Sequence, residues 1–202
     1  KDSFDLNYTQ AMLVQFCFFG AYFIISPFAG KLIDKVGYQQ GIVLGLLTTA
    51  LGCFLFYPSA DLHVYELFLF AFFVLASGIT VLQVAANPYV AALGPDKTAA
   101  SRLNLAQAAN SLGTTVGPLV GAALILGVVA ADASAVQGPY IMLGGLLVLA
   151  AIMFRFIKLP RISSVESGET TSDENIWDRR SLVLGALAIF LYVGGEVSIG
   201  SF

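Results

Sequence analysis

The charged residues of this chain are confined to short segments that separate long uncharged runs. Residues 6–30, 36–60, 67–95, 103–131 and 133–154 contain no Asp, Glu, Lys or Arg, and the last run, 181–202, contains only Glu196. Crossing the hydrocarbon core of a bilayer takes about 20 apolar residues. Each run is therefore long enough for a membrane-spanning helix, and the pattern predicts an all-α, polytopic transmembrane bundle.

Composition supports this interpretation and excludes other classes of protein. Hydrophobic residues make up 57% of the chain and charged residues 11%, whereas an average soluble domain has about 25% charged residues. The net charge is −3, and no basic cluster interleaved with aromatic residues suggests nucleic-acid binding. We therefore expect the lipid bilayer, and not nucleic acid, as the surrounding partner.

The basic residues mark every second connection between the runs. Lys31 and Lys35 follow the first run, Lys97 and Arg102 the third, and five basic residues beginning at Arg155 follow the fifth. By the positive-inside rule, these connections are cytoplasmic. The first run then travels inward, which predicts one more helix before it if the N-terminus is cytoplasmic.

The longest polar connection divides the predicted helices into two groups. We predict that residues 1–158 form an N-terminal transmembrane bundle lacking its first helix, that 159–180 form a cytoplasmic linker, and that 181–202 are the truncated first helix of a C-terminal bundle. The linker has too little apolar surface to fold alone. An alternative is that it carries a short surface helix around Trp177.

The charged segment after the first run carries a recognisable motif. Gly30, Asp34, Lys35 and Gly37 follow G-x-x-x-D-[R/K]-x-G, which resembles the signature loop of the major facilitator superfamily. We predict a short cytoplasmic turn in which the glycines let two helices approach closely and Asp34 favours exposed amide dipoles. The resemblance implies that the chain holds helices 2–7 of an expected 12.

Three further segments are similar to the fucose permease family, which includes glucose/galactose transporters. They are Q-V-A-A-N-P-Y at 83–89, R-L-N-L-A-Q at 102–107 and the run 192–202. The glycine-proline pattern of 113–121 is also similar to the fifth facilitator helix, and it predicts close packing. The resemblance implies a hexose transporter of the bacterial inner membrane that works by alternating access, is coupled to protons and is monomeric at full length.

Polar side chains inside the predicted helices are candidates for contact with the sugar. Gln83 and Asn87 are four residues apart and share a helix face, and Asn104 and Gln107, three residues apart in the next run, share one as well. Amides donate and accept hydrogen bonds, as sugar hydroxyls do, and the ring of Tyr22 could cover the apolar face of a sugar. The alternatives are hydrogen bonds between helices for the amides and packing for the aromatic ring.

Glu196 is the only acid deep inside an apolar run. A carboxylate is costly there, so we predict that Glu196 contacts the sugar or carries the coupling proton. The fucose permease pattern has a Glu at the position of Gln83, and an amide cannot take up or release a proton. We hypothesise that coupling uses an aspartate in the missing first helix, with a contribution from Glu196. Sodium-coupled or uncoupled sugar transport is the alternative, and a drug or ion antiporter is a weaker one.

The remaining polar residues suggest no catalytic chemistry. Asp34 and Arg102 lie near predicted cytoplasmic helix ends, where we expect gating or charge-clamp contacts. We predict no catalytic residue, no metal site and no cofactor other than the coupling ion, because no nucleophile–base pair, metal-ligand cluster or nucleotide-binding loop is present and His63 is the only histidine. A transporter is therefore favoured over a membrane-embedded enzyme or a structural assembly protein.

Overall fold

The computed structural model is helical almost throughout. It describes residues 8–62, 64–126, 137–157, 159–160 and 180–200. The helices are α1 (Tyr8–Val36), α2 (Tyr38–Asp61), α3 (Tyr65–Ala92), α4 (Ala99–Leu126), α5 (Gln137–Phe156) and α6 (Arg180–Gly200), with a 3-10 turn at Asp96–Thr98. The chain divides into two compact units, Lys1–Ile162 and Ser163–Phe202, and α6 belongs to the second.

The predicted all-α transmembrane fold is confirmed. Four segments of the described chain are long and apolar enough to cross a membrane: Met12–Val36, Tyr38–Asp61, Tyr65–Ala92 and Gln137–Phe156. The described part of the run 103–131 forms α4, and amides and hydroxyls lie along it at Asn104, Gln107, Asn110, Ser111, Thr114 and Thr115. In α6, the residues Val183–Gly195, whose side chains are described, form an apolar helical segment.

Large apolar side chains cover the outside of these helices. Phe23 is 84% exposed, Phe28 65% and Phe70 54%. A soluble protein rarely leaves so many large apolar side chains in contact with water, whereas lipid tails solvate them without cost. Exposed apolar surface of this extent is suited to contact with lipid and not with water.

The helices α2 and α3 are held together by contacts that only glycine permits. A Cβ at Gly45 would lie 2.7 Å from the backbone nitrogen of Leu82, and one at Gly52 would lie 2.5 Å from that of Leu75. On the facing helix, a Cβ at Gly78 would overlap the backbone of Thr49 and lie 2.8 Å from the Gly45 carbonyl oxygen. Small residues at such interfaces increase dispersion contacts, which drive helix association in lipid.

Side-chain clusters fill the two ends of this helix pair. At one end, Phe56 packs against Phe68, Phe72 and Tyr140 with ring centroids 5.0, 4.8 and 4.1 Å away, which ties α2 to α3 and α5. At the other end, a buried apolar cluster joins α1, α2, α3 and α5 through Ile33, Ile42, Leu46, Ala85, Tyr89 and Ala151. The basic helix ends predicted to be cytoplasmic meet beside the second cluster.

The connection between α1 and α2 is shorter than predicted. Residues 30–36 were expected to lie in a turn, but they complete α1, and Gly37 alone separates the two helices. Gly37 has φ 83° and ψ 162°, a backbone region that is essentially restricted to glycine. This conformation reverses the chain at a single residue, which explains how a charged segment can stay helical so close to the turn.

The domain boundaries stay a prediction. Residues 161–179, which include most of the expected linker and Trp177, lie outside the described residues, as do Lys1–Asn7 and His63. Leu159 and Pro160 are described, and the Tyr89 hydroxyl donates to the Pro160 carbonyl oxygen at 3.3 Å. The start of the expected linker is therefore attached to α3.

Gly78→Ala tests the glycine contacts between α2 and α3. The added methyl group would overlap the backbone of α2, so the helices must separate, and we expect the free energy of unfolding to fall by about 1–3 kcal/mol. Thermal unfolding in detergent would measure the change. Gly145→Ala is the matched control, because a Cβ at Gly145 meets no atom within 4 Å. Equal midpoints for the two variants would contradict the prediction.

Candidate substrate groove

A groove of about 310 Å³ opens between α1 and α3. Each helix contributes a pair of polar side chains spaced four residues apart, a spacing that places both members on one helix face. The pairs are Tyr22 and Ser26 on α1 and Gln83 and Asn87 on α3. Tyr22 lies midway along α1. The remaining lining residues are Thr80, Val84 and Pro88. Three predicted substrate-binding residues, Gln83, Asn87 and Tyr22, are thus brought together, and the lining carries no charged side chain.

Four of the polar side chains that line this groove make no hydrogen bond within the described chain, whereas Thr80, which also lines it, bonds to its own helix. The hydroxyls of Thr49, Ser59, Ser77 and Thr80 each donate to a carbonyl oxygen three or four residues earlier in their own helix, at 2.7–2.9 Å. Within the described chain, the side chains of Tyr22, Ser26, Gln83 and Asn87 make no hydrogen bond to protein. Unpartnered polar groups are costly within a membrane, so these groups are available to water or to a ligand.

A second groove, of about 470 Å³, is lined mainly by apolar and aromatic residues of the same two helices. Val14, Gln15, Phe18, Phe19 and Phe72 line it. The Phe18 ring packs 5.4 Å from the Tyr22 ring and 5.7 Å from the Phe19 ring. Because Tyr22 lines the amide groove, this ring contact connects the two grooves, and a polar surface continues directly into an aromatic one.

Asn104 and Gln107, two further predicted substrate-binding residues, do not line this groove. Asn104 and Gln107 are exposed on α4, whose side chains from 107 to 120 are all exposed. Glu196 lies on α6 in the second unit, and its side chain is outside the described residues. Of the two predicted pairs of amides, Gln83 and Asn87 line the groove and Asn104 and Gln107 do not.

Comparison with known proteins places the chain in a family. Its sequence matches the Major Facilitator Superfamily over residues 1–202. The chain belongs to the major facilitator superfamily. A crystal structure of the superfamily transporter FucP in the outward conformation has a similar fold, with a TM-score of 0.73 at 34% identity over 93% of this chain and 49% of that one.

Two characterised superfamily members show how the similarity is distributed. The glucose/galactose transporter of Brucella abortus is 55% identical over 208 residues, covering 100% of this chain and 50% of the relative. The L-fucose-proton symporter of Escherichia coli is 33% identical over 228 residues, covering 100% and 52%. The chain thus spans about half the length of the relatives that it matches. Both relatives are named as transporters, which agrees with the interpretation of the sequence as part of a transporter and not an enzyme.

The glycines of the superfamily signature segment, Gly30 and Gly37, do not have the structural role that was predicted for them. A Cβ at Gly30 or Gly37 would meet no atom within 4 Å, so within the described chain neither glycine mediates close helix contact. Gly37 is required for its positive φ instead. Asp34 and Lys35 are exposed in the last turn of α1, and no side chain caps the first turn of α2. The glycines at 113, 117 and 121 likewise face open space in the described chain.

Arg102 joins the end of α3 to the start of α4. Its guanidinium has five N–H donors, and all five are used. Nε donates to the Val90 carbonyl oxygen at 3.1 Å, Nη1 to Pro95 O at 3.2 Å and Thr98 Oγ1 at 2.6 Å, and Nη2 to Gly94 O at 3.0 Å and to Ala91 O. Arg102 therefore satisfies the last carbonyls of α3, which a helix end otherwise leaves unpaired.

Sequence reasoning overlooked two residues of the groove, Ser26 and Thr80. Thr80 lies three residues before Gln83 and seven before Asn87, so helical periodicity along α3 could have identified it. Ser26 lies four residues after Tyr22, and the same argument applies to α1. Serine and threonine are common in membrane helices because they can donate to their own backbone, which makes their presence alone a weak signal.

Arg102→Lys tests whether the planar guanidinium holds the α3–α4 connection. An ammonium group cannot reach five acceptors in one plane, so we expect the free energy of unfolding to fall by about 1–3 kcal/mol and protease cleavage in the connection to become faster. Lys97→Gln is the control, since Lys97 is an exposed cation of the same connection. Unchanged unfolding and cleavage in Arg102→Lys would show that charge alone is sufficient.

Proposed function

We propose that this chain contributes one wall of the substrate path in a transporter that carries a hexose across the inner membrane of a bacterium. The observation that carries the proposal is the groove between α1 and α3, in which amide and hydroxyl groups lie unpartnered on two membrane-spanning helices. The names of the relatives, a glucose/galactose transporter and an L-fucose-proton symporter, agree with a sugar as the substrate.

The chemistry of the groove suits a neutral polyol. Each sugar hydroxyl donates one hydrogen bond and accepts others, and the amides of Gln83 and Asn87 offer both a donor and an acceptor group. The lining contains no charged residue, so an ionic solute would lose its hydration without an ion pair to replace it. The aromatic groove that continues from Tyr22 offers apolar surface for the C–H face of a sugar ring.

Alternating access gives these groups their function. In carriers built from two helical bundles, the site lies near the bilayer midplane and opens to each side in turn as one bundle rocks against the other. Tyr22 lies midway along α1, as such a site requires. An opposing wall from a second bundle would enclose the sugar, and we place Glu196 of α6, together with Asn104 and Gln107 of α4, among the groups that complete the site.

Proton coupling is part of the proposal. Gln83 has no ionisable group, so the proton must be carried elsewhere. We assign it to an acidic side chain outside the groove, and in this chain Glu196 is the candidate. The name of the E. coli relative, a fucose-proton symporter, supports a proton as the coupling ion. Sodium coupling or uncoupled transport is the second candidate, because the proton-carrying acid of the fucose permease pattern is replaced by Gln83.

The groove is tested by transport measurements on the protein encoded by the complete gene. Gln83→Ala and Asn87→Ala each remove hydrogen bonds to the sugar, and we expect KM for the transported hexose to rise about tenfold, the equivalent of one or two hydrogen bonds. Uptake of labelled glucose, galactose and fucose would be measured in proteoliposomes. Ser77→Ala is the matched control, because Ser77 lies on α3 but donates to Phe73 O at 2.7 Å. If Gln83→Ala and Asn87→Ala transported all three sugars as Ser77→Ala does, the groove would not be the site.

The coupling ion is tested by imposing one gradient at a time. Accumulation of sugar against its gradient is expected with an inward proton gradient and not with an inward sodium gradient. Glu196→Gln should reduce accumulation more than it reduces exchange of sugar at equilibrium, since exchange needs no net proton movement. Accumulation driven by sodium alone would replace the proton with sodium as the coupling ion.

A further inference from the structure

A cavity lies between α2 and α5 at the end of the bundle that carries the basic helix ends. Its volume is about 350 Å³, and it is lined by Gln39, Gln40, Val43, Leu44 and Arg155. Gln39 and Gln40 belong to the first turn of α2 and Arg155 to the last turn of α5. By the positive-inside rule, this end is cytoplasmic, so the cavity opens at the inner surface of the membrane and not toward the sugar groove.

Gln39 builds one wall of the cavity. Its Nε2 donates to the carbonyl oxygens of Phe154 at 2.9 Å and Ile157 at 2.8 Å. These two bonds hold the first turn of α2 against the last turn of α5 and satisfy carbonyls at the end of α5. The arrangement fixes the backbone on both sides of Arg155, so the cavity is a defined feature of the packing between two helices.

The polar side of the cavity is available to an anion. Arg155 is exposed, and within the described chain it has no acidic or hydrogen-bonded partner; the side-chain amide of Gln40 is likewise unpartnered. A guanidinium and an amide together present several N–H donors, and guanidinium groups pair with phosphate oxygens through two parallel hydrogen bonds. The cavity therefore has a positive, donor-rich rim.

The other side of the cavity is apolar and belongs to the membrane. Val43 and Leu44 follow one turn later on α2, inside the spanning segment Tyr38–Asp61, and Leu44 is 39% exposed. A ligand that fills the whole cavity must therefore place negative charge at the membrane surface and hydrocarbon directly below it. A soluble anion matches only the first half of this description.

We propose that this α2–α5 cavity binds an anionic phospholipid of the inner leaflet. The phosphate lies against Arg155 and the amide of Gln40, and the beginning of an acyl chain packs on Val43 and Leu44. Basic pockets between membrane helices on the cytoplasmic side are suited to such headgroups, because the cation is already held where the lipid phosphates lie. Bound lipid would bridge α2 and α5 and add to the link made by Gln39.

The proposal is tested by lipid titration of the purified protein encoded by the complete gene. Native mass spectrometry would follow binding of phosphatidylglycerol to the protein in detergent, with phosphatidylcholine as the zwitterionic comparison. Arg155→Gln should weaken phosphatidylglycerol binding about fivefold, the contribution of one cation at a membrane surface, while Arg155→Lys should keep part of it. Lys31→Gln, which removes another exposed cytoplasmic cation, should leave it unchanged.

Three outcomes would overturn the proposal. Equal losses in Arg155→Gln and Lys31→Gln would reduce the effect to general surface charge. Equal binding of phosphatidylcholine and phosphatidylglycerol would remove the role of the anionic headgroup. Displacement of the lipid by glycerol phosphate, which has the headgroup phosphate but no acyl chain, would identify a site for soluble anions instead. None of these measurements depends on which sugar is transported.

Discussion

The close contact between α2 and α3 determines the geometry of the rest of the first unit. Because Gly45, Gly52 and Gly78 have no side chain, the two backbones meet directly, and α3 can present only one face to α2. Asn87 lies nine residues after Gly78 on α3. Nine residues make about two and a half turns of an α-helix, so the two residues lie on opposite sides of α3. The glycine contact therefore directs the amide face of α3 away from α2 and toward α1, where the groove forms.

Hydrogen bonding distinguishes the groove from other polar positions of the bundle. In a bilayer, a hydroxyl group can donate to its own helix at little cost, and four threonine and serine residues of the bundle do so. Within the described chain, Tyr22, Ser26, Gln83 and Asn87 leave their polar groups unpaired, although Thr80 beside them bonds to its own helix. Unpaired polar groups are costly within a membrane, and this cost supports the proposal of a polar substrate.

At the cytoplasmic helix ends, side chains donate hydrogen bonds to backbone carbonyl groups that have no partner within their own helix. Arg102 makes five hydrogen bonds, two to the last turn of α3 and three to the connection that follows; Gln39 makes two at the end of α5, and Tyr89 donates to Pro160 O. Arg102 links consecutive helices, whereas Gln39 and Tyr89 link segments that are distant in sequence. All of these links lie at the same membrane surface. These hydrogen bonds hold the bundle together at its cytoplasmic end, while the groove residues farther along α1 remain available to bind a ligand.

The sequence by itself determined the elements, the class of protein and part of the site. Long uncharged runs can exist only as membrane helices, alternating basic connections orient them, and a spacing of four residues puts Gln83 and Asn87 on one face; these properties are local and can be read from neighbouring residues. Only the tertiary structure decided that Tyr22 and Ser26 lie across from that face, that Asn104 lies outside the groove, and that Gln39 reaches carbonyls more than a hundred residues away. These facts depend on how each helix is rotated about its axis, and that rotation is set by contacts such as those of Gly45 and Gly78, which join residues distant in sequence.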